Sequence, residues 1–327
     1  MIFARTHGAA RLYKKKRGNF MGEYEKIFQK ARGFIYRNAR PVDLARWRYH
    51  FEDGAREDVL TALAAFQNED GGFGHGLEAD SFNPNSCPIQ TWNACEILRE
   101  IGFEDGSHPI IRGILRYLGS GADFSEQHNQ WRNTVKSNND YPHAVWWSYS
   151  EEKEEFNYNP TAHLAGFILR FAEKDSALYR KAEEIAKQAY AWFREKVPFG
   201  DNHVANCFVR LYEVLSETGA ALADPDEFAE KLREEVGASI CRETERWKTE
   251  YVGMPSFFIS DRNSMFCAGN EALVEKECAL IAESQLDDGS YPIPWQWYNE
   301  YKEFPLAENW WKSVQLIEKM RFLREFG

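Results

Sequence analysis

A short motif that occurs twice, once near each end of the chain, restricts the possible folds most. Residues 67–73 read Gln-x-x-Asp-Gly-Gly-Phe and residues 285–291 read Gln-x-x-Asp-Gly-Ser-Tyr, each directly after an apolar helical segment. An Asp-Gly pair provides a positive φ, a glutamine in the last helical turn hydrogen-bonds free carbonyl groups, and the aromatic ring packs against the next layer. The motif therefore predicts a clamp turn that ends a helix in an internally repeated architecture.

Helical periodicity runs through the rest of the chain. Helices are predicted at residues 23–38, 43–51, 55–67, 88–101, 108–118, 159–171, 176–196, 203–215, 225–247 and 270–285, with a final helix that ends at residue 326. A long polar and aromatic loop is predicted from residue 119 to residue 158. Sustained alternation of apolar and polar residues, which is typical of strands, is missing from the sequence. The chain is therefore predicted to be all-α.

Two kinds of predicted helix alternate, one apolar on most sides and one apolar along a single stripe. Two concentric rings bury both kinds: the helices that are apolar on most sides surround a central cavity, and the helices with a single apolar stripe face water. We therefore expect residues 22–327 to form one α/α toroid domain of about five to six helix pairs. An open solenoid of stacked pairs is the alternative, and clamp turns near both ends favour closure.

Charge and cysteine content limit the partners and the compartment. The net charge of −11 argues against a nucleic-acid partner, which requires a basic surface. The six cysteines include no Cys-x-x-Cys pair, so a reduced, cytoplasmic setting without disulfides is predicted. No apolar run is long enough for a membrane span. Residues 1–21 are predicted to be a disordered basic leader, and peripheral membrane contact remains open.

The two motifs resemble the QW-type repeat of squalene and hopene cyclases and the related repeat of protein prenyltransferase β subunits. These families are α/α toroids, and the resemblance extends from about residue 22 to the end. It implies an isoprenoid or other apolar ligand in an aromatic cavity. The Asp-x-Asp-Asp motif of the cyclases is absent, and the acidic residues 224–227 are predicted to cap a helix. The Asp-x-Cys zinc ligands of the prenyltransferases are absent as well, so neither a metal nor another cofactor is predicted.

The catalytic candidates follow the first clamp turn and have no counterpart after the second. His75, Glu78 and Asp80 stand among glycines that let the backbone approach a ligand. A carboxylic acid beside a water-poor aromatic cavity retains its proton, so Glu78 or Asp80 is the predicted proton donor. His143, in the long loop, is the fourth candidate. The structural alternative is a surface loop whose acids stabilise turns.

The ligand-binding candidates are aromatic residues and polar residues at the starts of predicted inner helices. His163, His203 and Asn206 are expected to face the cavity, although ordinary hydrogen-bonded histidines are the alternative. The spacing of the histidines matches no compact metal-binding pattern. Indole faces stabilise cationic intermediates and also stack on sugar rings. The aromatic candidates are Trp92, Trp146, Trp147, Trp295, Trp297 and Trp310, within a wider set that includes Trp131 and Trp311.

Three functions remain open. The leading hypothesis is a cyclase-like or prenyltransferase-like protein that acts on an isoprenoid or other apolar ligand with assistance from an acid. The second is a carbohydrate-active hydrolase or lyase that uses Glu78, Asp80 and His143 beside tryptophan platforms. The third is a toroid that binds a ligand or a protein partner without catalysis, because no complete catalytic motif is present.

Overall fold

The described part of the chain is mostly helical. A computed structural model describes Gly22 and residues 24–327, with eleven helices, 58% helix and 3% strand. The all-α prediction is confirmed, and the predicted basic leader lies outside the described residues. The helices are α1 (24–38), α2 (Pro41–Phe51), α3 (Arg56–Ala64), α4 (Pro88–Glu100), α5 (Pro109–Gly119), α6 (Thr161–Phe171), α7 (Ala177–Lys196), α8 (Asn202–Thr218), α9 (Pro225–Ser239), α10 (Glu271–Glu283) and α11 (Phe304–Phe326).

Helix α9 ends earlier than the sequence indicates. The predicted helix at 225–247 stops at Ser239, and the following segment contains two short 3-10 turns, Arg246–Lys248 and Pro255–Phe257. The returning chain packs on the helix end, where a Cβ at Gly253 would lie 2.2 Å from the carbonyl oxygen of Ser239. Periodicity continues past this point, so the reason for the break is the tertiary contact rather than the local pattern.

The long loop between α5 and α6 is more ordered than predicted. It contains a two-stranded antiparallel ribbon of β1 (Phe124–Ser125) and β2 (Gln130–Trp131), followed by three 3-10 turns. The backbone N–H of Trp131 donates to the hydroxyl of Thr161 at the start of α6, over 2.9 Å. This contact fixes the loop to a buried helix.

Neighbouring helices pack in sequence, and the two ends of the described chain meet. Helix α6 contacts α4, α5, α7 and α8, while α8 contacts α9. Helix α11 packs against both α10 and α2. The Gln285 side chain, just after α10, donates from Nε2 to the carbonyl oxygen of Ile27 in α1 at 2.9 Å. The last two helices are therefore joined to the first two.

Both clamp turns form, and their hydrogen bonds correspond. Gln67 Nε2 donates to the carbonyl oxygens of Gly71 in its own turn and Ile110 in α5, at 2.9 and 3.0 Å. Gln285 makes the same pair of bonds to Gly289 and Ile27, at 3.0 and 2.9 Å. The predicted clamp is confirmed with one refinement, because each glutamine joins its turn to another helix, α5 or α1, rather than capping its own.

The remaining features of the two turns also match. Asp70 Oδ1 accepts the backbone N–H of Gly72 at 2.9 Å, and Asp288 Oδ1 accepts that of Ser290 at 2.8 Å. The aromatic rings that end the motifs, Phe73 and Tyr291, are fully buried. The sequence repeat is therefore a repeat of structure.

Two further properties of the described residues bear on the predictions. All six cysteines are free thiols, and four of them are buried. Among residues 24–327, every helix is too short or too polar to cross a bilayer.

Candidate functional site

Asp80 binds two tryptophans from the far end of the chain. Its Oδ1 accepts the indole N–H of Trp297 at 2.6 Å, and its Oδ2 accepts that of Trp295 at 3.2 Å. Asp80 follows the first clamp turn, whereas both tryptophans follow the second. The side chain of Asp80 is only 2% exposed. The segments after the two clamp turns therefore meet at one buried carboxyl group.

Glu78 is the second buried acid, and it is held less tightly. Its Oε2 accepts an N–H from the Asn93 side chain of α4 at 2.8 Å, and its Oε1 accepts the backbone N–H of Asp80 at 3.3 Å. The indole N–H of Trp147 lowers the pKa of Glu78, although it makes no hydrogen bond of normal geometry. Glu78 is 5% exposed, and one of its oxygens has only the long backbone contact.

Burial raises the pKa of both acids. For Asp80 burial is the main cause and repulsion from Glu78 the second, and together they raise the pKa to about 7 despite the indole N–H groups. Burial also raises the pKa of Glu78, although the hydrogen bond from Asn93 acts to lower it. Two adjacent carboxyls in a poorly solvated site share a proton near neutral pH. Because the two carboxyls are coupled, this proton belongs to the pair rather than to one of the two residues.

A line of aromatic side chains connects this acid pair to solvent. The Tyr251 ring, in the loop between α9 and α10, packs edge-on against Trp295 with centroids 5.2 Å apart. The Tyr251 hydroxyl lies 3.0 Å from Nε2 of His203, at the start of α8. Tyr251 is 46% exposed, yet burial raises its pKa, and burial lowers the pKa of the exposed His203. Both side chains are thus partly open to water although protein groups surround them.

Polar side chains of α4, α6 and α8 face one another. Glu96 of α4 is the common partner: its Oε1 lies 3.1 Å from Nε of Arg210 on α8 and 3.3 Å from Nδ1 of His163 on α6. The arginine lowers the pKa of Glu96, and burial lowers that of His163 to about 4. His163 is therefore neutral, and these three helices turn hydrogen-bonding groups towards a shared interior.

Helices α2 and α11 reach the same interior. Glu100 at the end of α4 pairs with Arg46 of α2 at 2.7 Å and with Arg321 of α11 at 3.1 Å. On α11, Trp311 and Glu318 lie seven residues apart, and therefore on one side of the helix. The indole N–H of Trp311 lowers the pKa of Asp80. Ion-paired groups thus join five helices, namely α2, α4, α6, α8 and α11.

Several buried polar atoms of α4, α8 and α11 make no hydrogen bond within the protein. They are Nε1 of Trp92, Nε1 of Trp311, Oδ1 of Asn206 and Nδ2 of Asn202. Buried polar groups in native proteins are nearly always hydrogen-bonded, to protein or to something bound. Each has less than 1 Å² of accessible surface, so a ligand reaches it only if neighbouring side chains move.

Two predicted catalytic histidines have other partners. The exposed His75 has a positive φ of 61°, and its Nε2 lies 2.9 Å from Oδ1 of Asn68 in the clamp turn. His143 is buried; its Nδ1 donates to the carbonyl oxygen of Tyr141 at 2.7 Å, and its Nε2 lies 3.0 Å from the hydroxyl of Ser148. Neither histidine is hydrogen-bonded to Glu78 or Asp80. Both form contacts that stabilise loops.

The predicted tryptophans divide into two groups. Trp295, Trp297 and Trp147 surround the acid pair, and the Trp92 ring packs edge-on to His163 with centroids 6.3 Å apart. Trp146 is 40% exposed, and Trp310 packs on Phe82 and under the guanidinium of Arg40, beside the glycine loop. Trp146 and Trp310 therefore lie outside the acid cluster.

The sequence does not indicate two residues of the site, Asn93 and Tyr251. Asn93 is a polar residue inside an otherwise apolar segment of α4, next to the predicted Trp92, and that contrast is a usable signal. Tyr251 follows the early end of α9 in a segment without periodicity, so nothing local marks it. Its role follows only from the contacts with Trp295 and His203.

Among the residues that the structure describes, no group of three His, Cys, Asp or Glu side chains is arranged to hold a metal ion. Comparison with known proteins found no matching family model, no similar curated protein and no similar solved structure. Function is therefore inferred from the geometry of the acid pair and of the ion-paired groups on the neighbouring helices.

Proposed function

We propose that the helices close into an α/α toroid around a central cavity, with α2, α4, α6, α8 and α11 as the inner ring. The contact of α11 with α2 and the bond from Gln285 to α1 support closure. The ion pairs of Glu96 and Glu100 link polar stripes from all five helices, as a common interior requires. Helices α1, α3, α5, α7, α9 and α10 then form the outer ring.

Within this toroid, we propose an enzyme that cleaves a glycosidic bond in a sugar-like ligand, with Glu78 as the proton donor. The observation that carries the proposal is the buried Glu78–Asp80 pair between indole rings. A general acid works best when its pKa lies near the working pH, and burial raises the pKa values of this pair accordingly. Asp80 supports the donor by its negative charge and fixes Trp295 and Trp297.

The polar wall favours a hydroxylated ligand. A hydrocarbon placed against Glu96, Arg210 and Glu318 would desolvate charged groups without replacing their hydrogen bonds, which is costly. A sugar offers donors and acceptors to accessible polar side chains such as Tyr251 and His203, and its apolar face stacks on indole rings. The combination of charged wall and aromatic platforms therefore supports a carbohydrate.

A cyclase-like reaction on an isoprenoid is the second candidate. One observation favours it: Trp147, Trp295, Trp297 and Trp311 surround an acid pair, and aromatic faces stabilise carbocations. In this alternative the same protonated carboxyl adds its proton to a double bond. The charged groups deeper in the cavity count against it.

One set of incubations separates these alternatives. The purified full chain is incubated with oligosaccharides and polysaccharides, and released reducing ends are measured; parallel samples with prenyl diphosphates or squalene are extracted for mass spectrometry. We expect reducing ends from a sugar substrate and at least about a 100-fold loss of kcat in Glu78→Gln, because general acids contribute that much. His75→Asn is the matched control and retains activity. A prenyl product would support the second candidate, and no product in either arm would contradict both.

A further inference from the structure

We propose that a cavity beside Trp297 is a second sugar-binding site, which holds a residue of the substrate chain away from the bond that is cleaved. The inference rests on the proposed function for the class of ligand and adds a site to it. The cavity has a volume of about 350 Å³ and is lined by residues 296–301 and Phe304. Ligand pockets in proteins begin near about 300 Å³, so this cavity suits a small part of a sugar chain rather than a protein segment.

Trp297 joins this cavity to the acid pair. It forms part of the lining, and its indole N–H donates to Oδ1 of Asp80 at 2.6 Å. Trp295, directly before the lining segment, donates to the other oxygen of Asp80 at 3.2 Å. The cavity and the acid pair therefore share a residue, so one sugar chain can contact both.

Contacts with the loop of His143 hold the lining in place. Asn299 donates from Nδ2 to the carbonyl oxygen of His143 at 2.6 Å, and the backbone N–H of Val145 donates to the carbonyl oxygen of Trp297 at 3.2 Å. The ring centroids of Tyr301 and His143 lie 5.3 Å apart. A cavity whose walls are fixed before binding loses little conformational freedom when a ligand enters.

Tyr298 provides an exposed aromatic platform in the lining. It is 69% exposed, and its φ of 55° lies in the left-handed region, which a bulky residue rarely adopts. Within residues 24–327 its ring packs on no other aromatic ring, and its hydroxyl has no hydrogen-bond partner. Strained backbone conformations are concentrated at functional sites. An exposed ring held in this conformation therefore indicates contact with a ligand rather than a role in packing.

The other side chains of the lining select a neutral, hydroxylated ligand. Gln296 and Tyr301 are exposed and offer an amide and a hydroxyl group. Of the described residues that line the cavity, Glu300 alone is charged, so an anionic sugar is repelled. A quaternary ammonium ligand is bound by aromatic faces on several sides, whereas Trp297 is only 1% exposed and belongs to the floor. A neutral sugar matches both the platform and the hydrogen-bonding groups.

The test uses fluorine NMR of the full chain labelled with fluorotyrosine, in which Glu78→Gln prevents turnover. Single Tyr→Phe variants assign the signals of Tyr298 and Tyr301, which report on the cavity, and of Tyr251, which reports on the acid pair. The probes are cellohexaose, maltohexaose, xylohexaose and mannohexaose, with choline as the cationic comparison. We expect at least one hexasaccharide to shift the signals of Tyr298 and Tyr301.

A matched pair of variants tests the platform. Tyr298→Asn removes the ring, and asparagine tolerates the positive φ, so we expect the affinity reported by the Tyr301 signal to fall about tenfold. Tyr36→Ala removes an exposed ring of α1 and leaves this affinity unchanged. With Glu78 present, Tyr298→Asn is expected to raise KM for the hexasaccharide about tenfold. It leaves kcat/KM for the nitrophenyl glycoside of the same sugar within about threefold, because that substrate is too short to reach the cavity.

The outcomes separate this site from the proposed function. Hexasaccharides that shift only the Tyr251 signal, or that shift none of the three, overturn the site, and so does a Tyr298 signal that responds to choline but to no hexasaccharide. Hydrolysis with an unchanged KM in Tyr298→Asn also overturns the site and leaves the proposed function in place. Binding at Tyr298 without any hydrolysis by the wild-type protein contradicts the proposed function alone.

Discussion

The two clamp turns are nearly identical in structure, whereas the segments directly after them differ completely. Each turn has a glutamine that joins it to another helix, an aspartate that accepts a backbone N–H and a buried aromatic ring. After the first turn come Glu78 and Asp80, and after the second come Trp295 and Trp297. The repeated parts hold helices together, whereas the unshared parts meet at Asp80 and form the candidate site.

The largest expected effect is a loss of stability when the central glycine of either clamp turn is replaced. Gly71 and Gly289 both have φ of 97°. A Cβ added at Gly71 would lie 2.1 Å from the carbonyl oxygen of Gly113, and one added at Gly289 would lie 2.2 Å from that of Lys30. Replacing either glycine by alanine adds backbone strain and a clash with a helix, so we expect each to lower the free energy of unfolding by about 5 kcal/mol. Urea unfolding measures this loss.

Gly200→Ala is the matched control, because Gly200 has φ of 72° but no atom within 4 Å of an added Cβ. It isolates the cost of the backbone conformation, about 1 kcal/mol. Equal losses for Gly71→Ala and Gly200→Ala would show that the clamp turn does not press on the neighbouring helix.

The next largest effect compares an aspartate of the unshared segment, Asp80, with an aspartate of the clamp turn, Asp288. In Asp80→Asn, one indole N–H faces an amide N–H2 group instead of a carboxyl oxygen, and we expect a loss of about 2 kcal/mol. In Asp288→Asn the remaining oxygen still accepts both bonds from Ser290, since both go to Oδ1, so the loss stays below about 0.5 kcal/mol. Unfolding curves of both variants test the contrast, and a larger loss for Asp288→Asn would contradict it.

A smaller effect tests whether the two clamp turns are equivalent. Gln67→Ala and Gln285→Ala each remove two hydrogen bonds to carbonyl groups, and each is expected to cost about 1–2 kcal/mol. The two losses should agree within about 0.5 kcal/mol, because the bonds have the same lengths within 0.1 Å. A loss at only one position would mean that one end of the proposed ring does not close.

The smallest effect concerns His75. Asparagine tolerates a positive φ, and the histidine is exposed with a single partner in the turn. His75→Asn is therefore expected to change the free energy of unfolding by less than about 0.5 kcal/mol. If this variant abolished turnover while the fold stayed intact, the assignment of His75 to the turn would be wrong.

The clamp turns and most helices could be predicted because their determinants are local. Glutamine, aspartate, glycine and an aromatic residue satisfy one another within seven positions, and helix periodicity extends over whole segments. The start of the second helix is an exception: the sequence predicts it at residue 43, but Pro41 already begins α2 in its first turn, where proline is favoured.

The composition of the site could be predicted only in part. Glu78 and Asp80 are predictable because they come directly after the clamp turn, but their partners Trp295 and Trp297 lie 215 and 217 residues away from Asp80. Such pairing depends on how the chain closes, which no local pattern encodes. The same reason explains why the sequence does not reveal Tyr251, beyond the early end of α9.

The pH dependence of the acid pair is a consequence of burial, and its sign is fixed. Because the folded pKa of Asp80, about 7, exceeds its ordinary value of 3.8, the folded state binds the proton more tightly. The carboxyl therefore contributes its full stability below about pH 3.8, and that contribution is lost as the pH rises through about 7. The indole N–H groups of Trp295 and Trp297 are hydrogen-bonded to Asp80, so they lie beside a carboxyl group whose charge changes over this pH range.

The most direct measurement is NMR of the tryptophan indole N–H groups between about pH 5 and 9, with resonances assigned by single Trp→Phe variants. We predict that the Nε1–H signals of Trp295 and Trp297 shift together with a midpoint near the Asp80 pKa of about 7, and that Asp80→Asn abolishes the shift. Indole signals that stay constant across this range would contradict the central claim, that the unshared segments after the two clamp turns build one buried acid site.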